Sequence, residues 1–379
     1  MRSVKTKLFS LALAVSMVLA LAGCNMSAPS TVGSIGGVEI PAGIYLMAQY
    51  NAYNTASGVA DLATGETASD VKTVLKAECT GTIGNEEVTA TGSEYVARLT
   101  TRSLEYYAAV EKEFADRNGV LDDAATAEAA NSADNLWSSN GDLYTANGIA
   151  KSTVETYLLN TQKAKALLKM TYGAGGSAPV TDDEYTAYVN DSCYYIEAVQ
   201  FPLMNYSSYT FADDDQKAAI MASAESCLAE LKETATAETA SNSALYTAAM
   251  TYVPQAMSAL GTDMDASQAV YYASSQLYTP DDLASYGSDE YNNLTDPLDE
   301  AGLNNWTTIN LGTTILVARR IDPFKTYSVE DLNNMYDLLS DMKSTDLQDD
   351  LYAAGAALEH DLNSSAMNTY SASKIKKNV

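Results

Sequence analysis

Apolar residues recur along this chain with two different periods. Between Glu94 and Arg117 they fall at Val96, Leu99, Tyr107, Val110 and Phe114, at spacings of three, eight, three and four. That is the helical period, and Asn118-Gly119 supplies a stop. Asp122–Trp137 is alanine-rich and predicts a second helix, followed by a turn-like stretch over Ser138–Asn147. Ser152 with Glu155 has the spacing of a capping box, opening a helix to about Tyr172 with Val154, Tyr157, Leu158 and Leu168 facing inward. Earlier, Ala42–Asn54 presents Ile44, Tyr45, Met47 and Ala48 on one face, and the small polar run Ser57–Asp70 reads as a loop.

The pattern changes after the glycine-rich break Gly173–Ala178. Pro179 forbids a helix running through, and Thr181 with Glu184 forms a capping box for a short helix ending near Asn190–Asp191. Cys193–Leu203 is then rich in aromatic and β-branched residues and predicts a strand. Asp213 to Gln216 caps another helix, with Ile220, Cys227, Leu228 and Leu231 inward. The aspartate triplet there lacks the alternating ligands and turn glycine of a calcium loop, so it complements the helix dipole. Residues 234–305 show no clear period. Leu311–Arg320 predicts a second strong strand, and Ser328 with Asp331 caps a last helix bearing Leu332, Met335, Leu339 and Met342.

Residues 1–23 belong to no fold. Arg2, Lys5 and Lys7 precede the apolar run Leu8–Leu21, too short and wrongly flanked for a membrane span. The run ends in Leu21-Ala22-Gly23-Cys24, which resembles a bacterial lipobox. That resemblance implies acylation at the Cys24 thiol, a chain beginning there, and attachment to the extracytoplasmic face of the cell membrane. Met26–Gly37, rich in serine, proline and glycine, reads as a tether.

Composition narrows the function. The net charge is −27, and −30 without the three cations of the leader, which argues against nucleic-acid binding and against adhesion to anionic lipid. An acidic surface serves solubility, or the approach of basic or unfolded partners. The 26 tyrosines against 5 phenylalanines suit both half-buried strand faces and adaptable contact surfaces. One histidine and no Cys-x-x-Cys leave no basis for a zinc site, and no cofactor is expected. Cys79, Cys193 and Cys227 permit at most one disulfide.

Val180, Thr181, Asp182, Glu184 and Tyr188 match the pattern V-[ST]-[DE]-x-E-[IL]-x-x-Y, with Tyr185 at its aliphatic position. With the strand that follows, they resemble the junction in extracytoplasmic foldases of the PrsA/SurA type. There a helical chaperone domain leads into a parvulin-type peptidyl-prolyl isomerase domain. The segment from Gly37 resembles the start of the chaperone domain, and Thr82–Val88 the turn that precedes its long helix. Ala198–Pro202 resembles the first parvulin strand, and Leu311–Arg320 the closing one. The resemblance implies an α+β fold, mainly helical, with a chaperone domain over 38–178, an inserted parvulin-like α/β domain over 179–325, and C-terminal helices over 326–379 that return to the first domain. It implies newly exported, unfolded polypeptides as partners. The family's paired active-site histidines lie on neighbouring strands. Their positions here are Gln200 and Thr314, which cannot reproduce an imidazole pair, so the resemblance implies an isomerase-like domain without efficient turnover. His360 is read as a surface residue of an acidic C-terminal helix. The alternative is a solute-binding lipoprotein of a transporter, although the chain lacks the strand–helix alternation of two α/β lobes.

Overall fold

A computed structural model describes residues 29–63, 70–238, 240–284 and 288–377. The leader and Cys24 lie outside the described residues. The fold is mixed α+β, mainly helical, with small antiparallel sheets. Its strands in chain order are β1 (Thr31–Ile35), β2 (Val38–Pro41), β3 (Glu78–Ile83), β4 (Glu86–Thr91), β5 (Tyr194–Pro202), β6 (Met204–Asn205), β7 (Thr210–Phe211), β8 (Ala273–Tyr278), β9 (Thr307–Asn310), β10 (Thr314–Ile321) and β11 (His360–Leu362). The chain divides into two compact units. One comprises the segments up to Leu167 and from Gln348, and the other is Leu168–Leu347. The chain passes between them within the helices Lys151–Tyr172 and Tyr336–Ala356. The limits expected at 179 and 325 therefore fall inside the central unit.

The first unit is built on long helices. Gly92–Asp116 starts from a capping box of Thr91 and Glu94 and buries Tyr95, Val96, Leu104 and Tyr107 against the helix Ala42–Gly58. Residues 138–147, expected as a turn, continue the helix Asp123–Ala146. Their serines and Asn140 bond back to carbonyls one turn earlier, and the lack of a side chain at Gly141 leaves room for the Trp137 ring. Ser152 does not cap the next helix. It begins at Lys151, with the Ala150 carbonyl accepting from Thr153 and Val154.

Two further expectations fail in this unit for one reason, long-range strand pairing. The segment read as a tether becomes β1 from Thr31, burying Val32 and Ile35. Its glycines serve geometry. Gly36 and Gly37 turn the β1–β2 hairpin at positive φ, and a Cβ on Gly33 would collide with the Asp361 carbonyl. The strand pressing there is β11, paired antiparallel with β1. His360 is thus a strand residue, not helical, with Nε2 3.4 Å from the Glu105 carboxylate.

The central unit carries a four-stranded antiparallel sheet in the order β8-β5-β10-β9. One face packs on the helices Asp214–Thr234 and Asn242–Ala259, and the other on Leu283, Leu294 and Leu298. Residues 234–305, which show no period in sequence, hold the second of those helices, β8 and the helix Ser288–Ala301. The small residues Ala248, Ala249 and Ala256 occupy its buried stripe with Leu245 and Val253, so alanine marks the core there. The last expected helix is broken: Val329–Asn333 ends at Asn334, and Tyr336–Ala356 begins afresh.

The junction residues all have structural work. Thr181 and Glu184 form the reciprocal capping box. Val180 and Tyr185 are buried. The Asp182 carboxylate accepts from Asn333 at 2.8 Å, and the Tyr188 hydroxyl donates to Asp341 at 2.6 Å. These contacts fasten the junction helix Asp182–Ser192 to the two helices that close the central unit.

All three described cysteines are buried and free. Burial raises the Cys79 thiol and pushes those of Cys193 and Cys227 up to about 12. The thiolate is the reactive form. In a chain of residues 25–379, Ellman's reagent is therefore expected to find no reactive thiol until denaturant is added, and then three. Rapid reaction of any thiol in the native protein would contradict this packing.

Candidate functional site

The site is organised by two strands whose sequences place charge in the middle of apolar runs. In β5 the residues Val199 and Phe201 point to the helix-covered core, and Ile196 and Ala198 point to the opposite face. Glu197 shares the helix-covered side. On β10 the same alternation puts Ile315 and Val317 with that core, and Arg319 stands directly opposite Glu197. Ser275 of β8 faces Glu197 from the other side. Arginine, glutamate and serine thus form a row across three strands.

Both charged side chains of this row are fully excluded from solvent. Arg319 Nε donates to Glu197 Oε2 at 2.7 Å, and Nη2 lies 2.6 Å from the same oxygen. Nη1 donates to the carbonyls of Ala235 and Ala237 at 2.8 and 2.9 Å, and Nη2 to the Ser241 hydroxyl at 3.0 Å. The guanidinium also stacks 4.9 Å from the Trp306 ring centre, and the Trp306 indole donates to the Ala235 carbonyl. The other Glu197 oxygen accepts from the Ser241 amide and from the Ser275 hydroxyl, which meets Tyr195 at 3.0 Å. A fork of five N–H donors in a dry interior needs acceptors all round, and this one has them. The cluster joins β5, β8 and β10 to the connection between two core helices. Sealed from water, it positions the sheet and cannot meet a substrate.

Gln200 and Thr314 lie on the face of the sheet opposite the ion pair, near the end of the two strands. They are not directly opposed: Gln200 pairs with Leu316, and Thr314 with Pro202. Gln200 is exposed, while the Thr314 hydroxyl donates to the Phe201 carbonyl at 3.1 Å. The single histidine belongs to the other unit. Cys193, buried at the start of β5, has its thiol raised by burial and by the nearby carboxylates of Asp341 and Asp282. Neither a paired-imidazole network nor an activated thiol exists here among the described residues. Asp213 closes a capping box with Gln216, which accounts for the first member of the aspartate triplet.

Directly beyond β5 the chain forms a small ribbon that the sequence reading passed over. Leu203 N–H bonds to the Thr313 carbonyl and Ala212 N–H to the Leu203 carbonyl, so the ribbon β6–β7 is rooted at the end of β5 and β10. Asn205 fixes its tip. The amide oxygen accepts from the backbone of Ser207 and Ser208, and the amide nitrogen donates to the Leu260 carbonyl and the Thr262 hydroxyl. Three rings stand out from this fixed backbone: Tyr206 is 53% exposed, Tyr209 80% and Phe211 61%. The signal was available in Asn205-Tyr-Ser-Ser-Tyr-Thr-Phe211, a run with three aromatics and no apolar partner in step with them.

No protein-family model matches the chain, and no curated protein matches it. Among the described residues no helix is long and apolar enough to cross a membrane.

Removing one member of a buried ion pair strands the other, a cost of about 3–5 kcal/mol. Arg319→Met and Glu197→Leu are each expected to lose about that much in urea denaturation, and the double variant much less than the sum. Strict additivity would show that the two charges do not act as a pair.

Proposed function

We propose that this chain is a lipid-anchored chaperone on the extracytoplasmic face of a bacterial membrane, holding newly exported polypeptides through a foldase-like central unit that does not turn prolyl bonds over efficiently. The observation that carries this reading is the state of the two strands that resemble the parvulin pair. β5 and β10 are neighbours in the sheet, as that resemblance requires, yet the histidine positions are an exposed glutamine and a threonine whose hydroxyl is bonded to a backbone carbonyl.

Prolyl rotation has a barrier of about 18–20 kcal/mol. A site lowers it by holding the twisted amide in a dry pocket that fits the transition state better than either ground state. Gln200 is open to water and Thr314 is already satisfied, so neither supplies that pocket. Binding without turnover is what such a surface can still do. The aromatic ribbon next to these positions offers apolar contact area, and exposed apolar groups of this kind mark interaction surfaces. The C-terminal segment from Gln348 belongs with the first unit through β11, which fits the returning C-terminus of the foldase resemblance. The leader and the Leu-Ala-Gly-Cys24 sequence support the anchor.

A paired assay on residues 25–379 tests the reading. Aggregation of a chemically unfolded protein is expected to be suppressed at near-stoichiometric chaperone, while isomerisation of a short proline peptide stays at the uncatalysed rate. Efficient isomerisation would overturn the inactive-foldase assignment, and absence of both activities would overturn the chaperone assignment.

A further inference from the structure

We propose that the Met204–Phe211 ribbon, with the neighbouring Leu260–Tyr272 segment, is a docking surface for lysine- and arginine-bearing segments of unfolded polypeptide. The inference rests on the chaperone reading and names the class of chain it selects.

The aromatic part of the surface extends beyond the ribbon. Asn205 bonds the ribbon to Leu260 and Thr262, at the start of the second segment. That segment ends in Tyr271, 86% exposed, and in the half-buried Tyr272. The rings of Tyr206, Tyr209, Phe211 and Tyr271 therefore belong to two adjoining segments held together by side-chain bonds. Their backbones are ordered by strand pairing, an Asn205-centred turn and a short 3₁₀ helix over Ala266–Tyr272. Rings on a fixed backbone lose little freedom when something binds them.

Charge decides the occupant. From Leu203 to Gln216 the chain carries Asp213, Asp214 and Asp215 and no lysine or arginine. From Leu260 to Tyr272 it carries Asp263 and Asp265, again without a cation. All five carboxylates lie on exposed residues. Asp214 is fully exposed, and the nearest cation, Lys217, stands 4.0 Å from it at the limit of an ion pair. Asp265 is held ionised by bonds from the Ser267 backbone and hydroxyl. Aromatic faces attract ammonium and guanidinium groups, and carboxylates on the same segments raise the local concentration of cations. An acidic peptide meets only repulsion. An anionic lipid surface is repelled by the same carboxylates, so insertion of the ring tips into such a membrane is disfavoured.

Fluorescence anisotropy with residues 25–379 and a labelled unstructured peptide tests the surface. Two peptides of equal length and apolar content are compared, one with four lysine or arginine residues and one with glutamate at those places. The basic peptide is expected to bind about tenfold or more tightly than the acidic one, and to weaken as salt rises. Tyr206→Ser, Tyr209→Ser and Phe211→Ser together are expected to abolish that preference and weaken the basic peptide by about tenfold or more. Asp214→Asn, Asp215→Asn and Asp263→Asn leave the rings in place and are expected to weaken the salt dependence. All substituted side chains are exposed, so unchanged far-UV circular dichroism and melting temperature confirm the fold of each variant. Unaltered basic-peptide binding in the ring variant would overturn the docking surface while leaving the chaperone reading intact. Failure of the unsubstituted protein to bind either peptide or to suppress aggregation would overturn both. Ring-dependent co-sedimentation with anionic vesicles, without peptide binding, would assign the surface to lipid instead.

Discussion

Glu197 and Arg319 face each other on the two middle strands of a four-stranded sheet, and neither touches water. Taking two charges out of solvent is costly, and a pair of this kind persists only where each remaining donor and acceptor finds a partner. Here the partners come from everywhere the central unit needs to be joined. Ala235, Ala237 and Ser241 lie between the two core helices, Ser275 lies on β8, and Trp306 leads into β9. The pair has the properties of a specifying interaction. An apolar substitute could fill the same volume, but it would not select which loop packs there or in what register the strands run.

That constraint also separates support from contact. The helix-covered face of the sheet is dry and fully bonded, and the chemistry it holds is structural. The end of β5 and β10 is different. Backbone bonds from Leu203 and Ala212 carry the order of the sheet outwards into a ribbon that is too small for a core of its own. A two-stranded ribbon is marginal alone in water. This one is fixed at its root by the sheet and at its tip by Asn205, and its aromatic rings stay exposed as a result. Surface and scaffold are thus two consequences of one set of paired strands.

The sequence made some of this readable. The capping box at Thr181 and the cap at Asp213 are legible in sequence, although the same three-residue spacing at Ser152 and Glu155 caps nothing, and both strands of the central pair stand out as apolar runs. Other parts were not legible, for identifiable reasons. The helix Asn242–Ala259 buries alanines, which carry no periodic hydrophobic signal, and contains Pro254. Residues 138–147 read as a turn because their serines and Asn140 have side chains that compete with backbone bonds, yet in the helix those side chains bond back to carbonyls one turn earlier. His360 and β1 are joined across more than three hundred residues, and no local pattern encodes such a pairing. At the candidate site, Gln200 and Thr314 were placed on adjacent strands by resemblance. Their offset register, the buried pair behind them and the ring-bearing ribbon beside them emerge only when the strands are aligned.

Hydrogen exchange read by mass spectrometry, on residues 25–379 with and without an excess of a basic unfolded polypeptide, tests the division between scaffold and contact surface most directly. In the free protein β5 and β10 should be the slowest-exchanging peptides of the central unit, and 204–211 much faster. Added polypeptide should slow exchange at 204–211 and 260–272 while leaving the β5 and β10 amides unchanged. Protection confined to other segments, or fast exchange of β5 and β10 in the free protein, would contradict a sheet held rigid by Glu197 and Arg319 with its ribbon open to the added polypeptide.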